Sequence, residues 1–160
     1  MVLTQAALNK GTPVPKIVFP DSIPDDFWQV IEEASQDRSK FREILKTMNR
    51  GRIIRFFWTY EELANRIRTE PYWRHADPDL SEDGISELAN WIVAQGKTYY
   101  RNILEHPEQI PASKKDTGFL SDMVLEYEKR YNTDLTLNTH IWDDDWKLHG
   151  KKSPWSFTEE

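Results

Sequence analysis

A chain of 160 residues carrying 38% hydrophobic and 30% charged residues is too apolar for a disordered polymer, too polar for a membrane protein, and the right size for one core. No apolar run approaches the ~20 residues that span a bilayer, and the first eleven residues lack the apolar centre of a secretory signal, so a cytoplasmic protein is expected. Having no cysteine excludes disulfides, thiolate metal sites and cysteine nucleophiles, and a net charge of −6 makes nucleic acid an unlikely partner.

Pro13, Pro15, Pro20 and Pro24 surround the apolar run Ile17, Val18, Phe19. Closely spaced prolines remove helix donors, so residues 1–24 read as an extended arm whose apolar centre packs on the domain or on a partner. Regular order begins at Asp25, where two acids follow Pro24 and Phe27, Val30, Ile31 and Ala34 repeat at helical spacing. A second helix starts at Asp37 with Phe41, Ile44, Leu45 and Met48 on one face, and Asn49 to Gly51 reads as its stop.

A long third helix is expected from Arg52 to about Thr69, on the seam Ile53, Phe57, Tyr60, Ala64 and Ile67. Arg50, Arg52, Arg55, Arg66 and Arg68 alternate with Phe56, Phe57, Trp58 and Tyr60 along it, a mixture found in RNA-binding surfaces. The net negative charge and the helical period favour an ion-paired helix face above a core of aromatics. After a loop holding Pro71, Tyr72, Trp73, His75 and Pro78, Ser81 is an N-cap with Glu82 and Asp83 in the first turn.

That fourth helix runs to about Gln95 with Ile85, Leu88, Ala89 and Ile92 inward. Gly96 either ends it or marks a close approach, and Tyr99, Tyr100, Ile103 and Leu104 form a short fifth helix before Pro107. Leu120, Met123, Val124, Tyr127 and Tyr131 form the sixth. The expectation is an all-α fold: a single compact bundle of about six helices over residues 25–132, an extended proline-rich N-terminal arm, and an irregular tryptophan-rich C-terminal tail over residues 133–160 that packs on the domain or on a partner.

The segment Asp26-Phe27-Trp28-Gln29-Val30-Ile31-Glu32-Glu33-Ala34, then Ser81-Glu82-Asp83-Gly84-Ile85, Leu88, Trp91-Ile92-Val93 and Gln95-Gly96, resembles an uncharacterised bacterial family, domain of unknown function 4240. Tyr100, Leu104 and Pro107 fall where that family has an aromatic, a Leu and a turn. Leu88 stands where an aromatic is usual, and residues 70–80 lack the glycine-containing apolar approach. The resemblance spans roughly residues 25–132 and implies a helical fold. It carries no activity and no catalytic residue.

Ser81, Asp83, Trp91 and Gln95 are the candidate pocket residues, although capping and core packing explain the first three and only the Gln95 amide demands a partner. His140, Asp143, Asp145 and His149 are the one local set with metal-binding chemistry, against the simpler reading of a solvated acidic run that includes Asp144. His75 and His106 stand apart from them. No nucleophile elbow, Walker loop or dinucleotide-binding glycine turn is present, so no cofactor is expected and a non-enzymatic reading is favoured.

The function expected from sequence is therefore a protein-interaction or regulatory protein that binds another protein through an aromatic-rich surface or its tail. Trp142, Trp146, Trp155 and Phe157 are the candidate anchors, since indoles dominate interface energetics. The alternative is a small-molecule-binding or metal-dependent enzyme using the pocket at the fourth helix or the His/Asp cluster.

Overall fold

The computed structural model describes residue 23 and residues 25–138. Among these are six α-helices, three short 3-10 turns and no strand. The arm expected over residues 1–24 therefore lies outside the described residues, apart from Ile23, which is buried.

Helix α1 (Asp25–Ala34) opens with two acids against its dipole and buries Phe27, Trp28, Val30, Ile31 and Ala34. Ser35 and Gln36 then adopt left-handed backbone (φ 51° and 63°), which reverses the chain within two residues. Asp37 caps α2 (Arg38–Lys46) by accepting from the Ser39 and Lys40 amides at 2.8 and 3.2 Å.

Asn49 is not a stop for α2. Its side chain accepts from the Arg52 amide at 3.0 Å and so caps α3 (Arg50–Ile67), which begins two residues before the expected Arg52. Thr47 ends α2 instead, its hydroxyl donating to the Ile44 carbonyl at 2.6 Å. Phe56, Phe57 and Tyr60 on α3 are buried, so these aromatics of the arginine-rich stretch belong to the core.

Helices α4 (Glu82–Val93) and α5 (Lys97–Glu105) meet at Gly96, whose φ of 104° lies where side-chain-bearing residues are strained. Helix α6 (Phe119–Tyr131) follows Gly118 and ends at left-handed Asn132. A 3-10 turn over Leu135–Asn138 packs on α6 and buries Leu135. No helix among the described residues is long and apolar enough to cross a membrane.

Ring contacts thread the core through five helices. Tyr100 of α5 meets Trp28 of α1 at 5.9 Å, Phe27 meets Phe56 of α3 at 4.5 Å, Phe56 meets Phe41 of α2 at 5.9 Å, and Phe41 stacks on Phe119 of α6 at 4.2 Å. Large rings supply much buried area per residue, which is how a chain of this length closes its core.

Three buried tyrosines bring a polar tip into this core, and each hydroxyl donates to a backbone carbonyl. Tyr60 donates to Asn90 at 2.6 Å, Tyr100 to Leu63 at 2.6 Å, and Tyr72 to Leu104 at 3.3 Å. Burial raises the pKa of all three, because the phenolate would lose its hydration. These bonds lock α3 to α4, α3 to α5, and the 69–76 loop to α5.

Candidate functional site

The four candidate pocket residues occupy two ends of α4. At its N-terminus Ser81 is exposed and accepts from the Gly84 amide at 3.0 Å, with Asp83 exposed beside it in the first turn. Both do what a helix start requires. Trp91 lies at the other end and Gln95 just past it, and twelve residues separate Asp83 from Gln95, about 18 Å of helix rise. The two pairs do not line one cavity.

The Gln95 amide finds its partner locally, donating to the Trp91 carbonyl at 3.0 Å. Trp91 is half-buried at the margin of the core, with the Tyr99 ring edge-on at 5.7 Å. Lys114 places its ammonium 5.0 Å from the centre of the indole. Burial raises the Tyr99 pKa. Trp91, Gln95, Tyr99 and Lys114 thus form an aromatic corner that joins α4, α5 and the 111–118 loop.

The loop that carries Lys114 is held on both sides. Ahead of it, the Asp77 amide donates to the Ala112 carbonyl at 3.0 Å. Beyond it, Asp116 accepts from the Asn90 side-chain amide at 2.9 Å and from the Gly118 amide at 2.8 Å. Asn90 in turn accepts from Arg68 at 3.3 Å, which pairs with Glu61 at 3.4 Å. The chain of polar contacts ties the loop to α3 and α4 with Lys114 over Trp91 at its middle.

Gly118 is required at the loop's end for two reasons. Its φ is 87°, and a Cβ there would lie 2.7 Å from the Arg38 guanidinium. Arg38 uses that space to reach Asp122, donating from Nε at 3.0 Å and Nη2 at 2.8 Å, while Arg42 Nε approaches the same carboxylate at 3.3 Å. The Asp122 hydrogen bond raises the Arg38 pKa further above its ordinary value.

On α5, Lys97, Thr98, Arg101, Asn102 and Glu105 line a groove of about 410 Å³. Tyr99 of the aromatic corner and Asn102 of the groove are one helical turn apart on α5. Lys97 pairs with Asp25 at 3.8 Å, and Asn102 donates to Gln109 at 2.7 Å. An indole, a phenol, three cations and side-chain amides are equipped to bind by packing, cation–π contact and hydrogen bonding.

Reading the sequence singled out Trp91 and Gln95 and missed Lys114 and the groove. The groove had a local signal, since Lys97, Arg101 and Glu105 recur every fourth residue. Lys114 had none, because its place over Trp91 depends on a loop fold. Trp142, Trp146, Trp155 and Phe157, and His140, Asp143, Asp145 and His149, lie outside the described residues. Of the described histidines, His106 sits 3.4 Å from Glu108 and His75 belongs to the 3-10 turn Trp73–His75. Among the described residues, no three His, Asp or Glu side chains are grouped to hold a metal ion.

The family model described as protein of unknown function (DUF4240) matches residues 23–133. No curated protein and no solved structure matches the chain. The matched stretch runs from two residues before α1 to two residues past α6 and covers well over half the sequence, so this protein belongs to the DUF4240 family.

Proposed function

We propose that this chain is a non-enzymatic, cytoplasmic interaction or regulatory protein that binds another protein through its aromatic surface. The observation that carries the reading is the Trp91 corner, where a half-buried indole at the margin of the core meets Tyr99 edge-on and has a lysine side chain over its face. Aromatic anchors that keep one face available are the residues that dominate protein interfaces. Trp73, 41% exposed on the turn before α4, adds a second indole to the surface. The tail indoles Trp142, Trp146 and Trp155 belong to the same proposal as further anchors.

The test is affinity purification of the full chain from its native host, with mass spectrometry comparing wild type with Trp91→Ser and Lys114→Glu. A dominant, reproducible partner lost from the Trp91→Ser sample, at unchanged circular dichroism, supports the reading. Equal capture by all three proteins removes the Trp91 corner from the interface. The groove on α5 supports a second reading, a small-molecule site, since its volume falls in the usual range for such pockets. A small molecule retained through purification in place of a protein would favour it.

A further inference from the structure

The chain is acidic as a whole, yet residues 38–55 hold seven Lys or Arg and a single acid, Glu43. The fold gathers part of this charge into one seam between α2, the start of α3 and α6. Asp122, Glu126 and Arg130 recur every fourth residue along about 12 Å of α6 and so lie on one stripe. Arg38 and Arg42 of α2 converge on Asp122, while Arg130 approaches Glu126 at 3.7 Å. Arg50 of α3 donates to the Tyr127 hydroxyl at 2.9 Å, and both Arg50 and Arg130 lie within 5.2 Å of the Tyr131 ring centre.

Burial decides the sign of the surface. The Asp122 side chain is 2% exposed, whereas those of Arg38 and Arg42 are 44% and 51% exposed. Glu126, too, is largely covered. The carboxylates lie underneath and orient the guanidiniums, and the cations form the outer layer. A guanidinium has five N–H donors, and Asp122 takes two from Arg38 and one from Arg42. Side chains already fixed by a buried partner lose little entropy on meeting an external anion.

We propose that this arginine seam is a docking surface for a carboxylate-rich peptide segment of a partner protein. Guanidinium forks match carboxylate geometry, and the tyrosines beneath Arg50 hold its plane in place. The net charge of −6 repels any long polyanion over the whole molecule, so the segment that docks is short and is held by the local field of the seam. The seam is distinct from the Trp91 corner and stands on its own observations.

The test uses the full chain and a fluorescently labelled deca-glutamate peptide, read by anisotropy at low and moderate salt. Saturable, salt-sensitive binding is expected, weakened at least tenfold by Arg42→Glu and by Arg130→Glu in protein that circular dichroism shows to be folded at the assay temperature. Arg42→Gln, which removes charge without adding a repulsive one, should weaken it less. A labelled oligothymidine binding more tightly than the peptide would overturn the choice of a carboxylate partner. A chain with Asp143→Asn, Asp144→Asn and Asp145→Asn that binds the peptide at least tenfold tighter than wild type would make the chain's own acidic segment the occupant, and overturn a separate partner. Failure of both wild type and that triple variant to bind, or equal binding by the arginine variants, would overturn the proposal.

Discussion

The Tyr60 hydroxyl of α3 donates to the backbone carbonyl of Asn90 in α4 at 2.6 Å, in the interior, while the Ala94 amide donates to the same carbonyl at 3.3 Å. One oxygen therefore serves both the last turn of α4 and the contact between the two helices. Tyr60→Phe removes only the second bond and leaves the carbonyl satisfied by its helix, so the loss should be about 1 kcal/mol. Chemical denaturation of the variant checks this, with the midpoint falling and the slope unchanged.

Tyr60 and Tyr100 also make stability fall in alkali. Their folded pKa values are raised above 10.0, chiefly by burial, so below pH 10 both folded and unfolded forms keep the proton and the contribution is complete. As pH rises through 10 the unfolded chain releases these protons first, and the folded state loses ground. Melting temperature should drop steadily above about pH 10. Phenolate absorbance from these two residues should appear together with unfolding, and their ionisation in a still-folded protein would contradict their burial.

Removing the carboxylate of Asp122 by substitution with Ala should cost about 2 to 3 kcal/mol, since two arginines lose a buried, charge-assisted acceptor. Gly118→Ala should destabilise by about 1 to 3 kcal/mol through a separate route, a positive φ and a collision with Arg38. The double variant should lose less than the sum of the two, because both act on Arg38. A full additive loss in thermal or urea unfolding would show the two sites to be independent.

Trp91→Ala should cost about 1 to 3 kcal/mol, below the loss for a fully enclosed indole, because the ring is only half-buried. Lys114→Ala should cost about 0.5 to 1 kcal/mol. The pair tests the corner by melting temperature, and an unchanged melting temperature for Trp91→Ala would place the indole wholly outside the folding core.

Asp116→Ala should release the loop from Asn90 and from the Gly118 amide and so uncover Trp91. Collisional quenching of tryptophan fluorescence should increase in this variant relative to wild type. Unchanged quenching would mean that Lys114 stays over the indole without the Asp116 anchor.

Helix positions and caps were legible in the sequence because they depend on neighbours within four residues. Phe27, Val30, Ile31 and Ala34 repeat at the helical period and are all buried in α1, and Asp37 and Ser81 cap the helices that follow them. Asn49 marks the edge of that legibility, since a short polar residue between two helices can end one or begin the next, and only its bond to the Arg52 amide decides. Trp91 shows the limit more sharply: its spacing is that of a core residue, but its exposure depends on how the 111–118 loop crosses it. Asp122 meets Arg38 and Arg42 across separations of 84 and 80 residues, and nothing in the local pattern distinguishes a buried carboxylate in α6 from its exposed neighbours. Periodicity specifies which face of each helix turns inward. Which polar side chains meet at the edges of those faces, and which cations are left outermost, follows only from how α2, α3 and α6 pack.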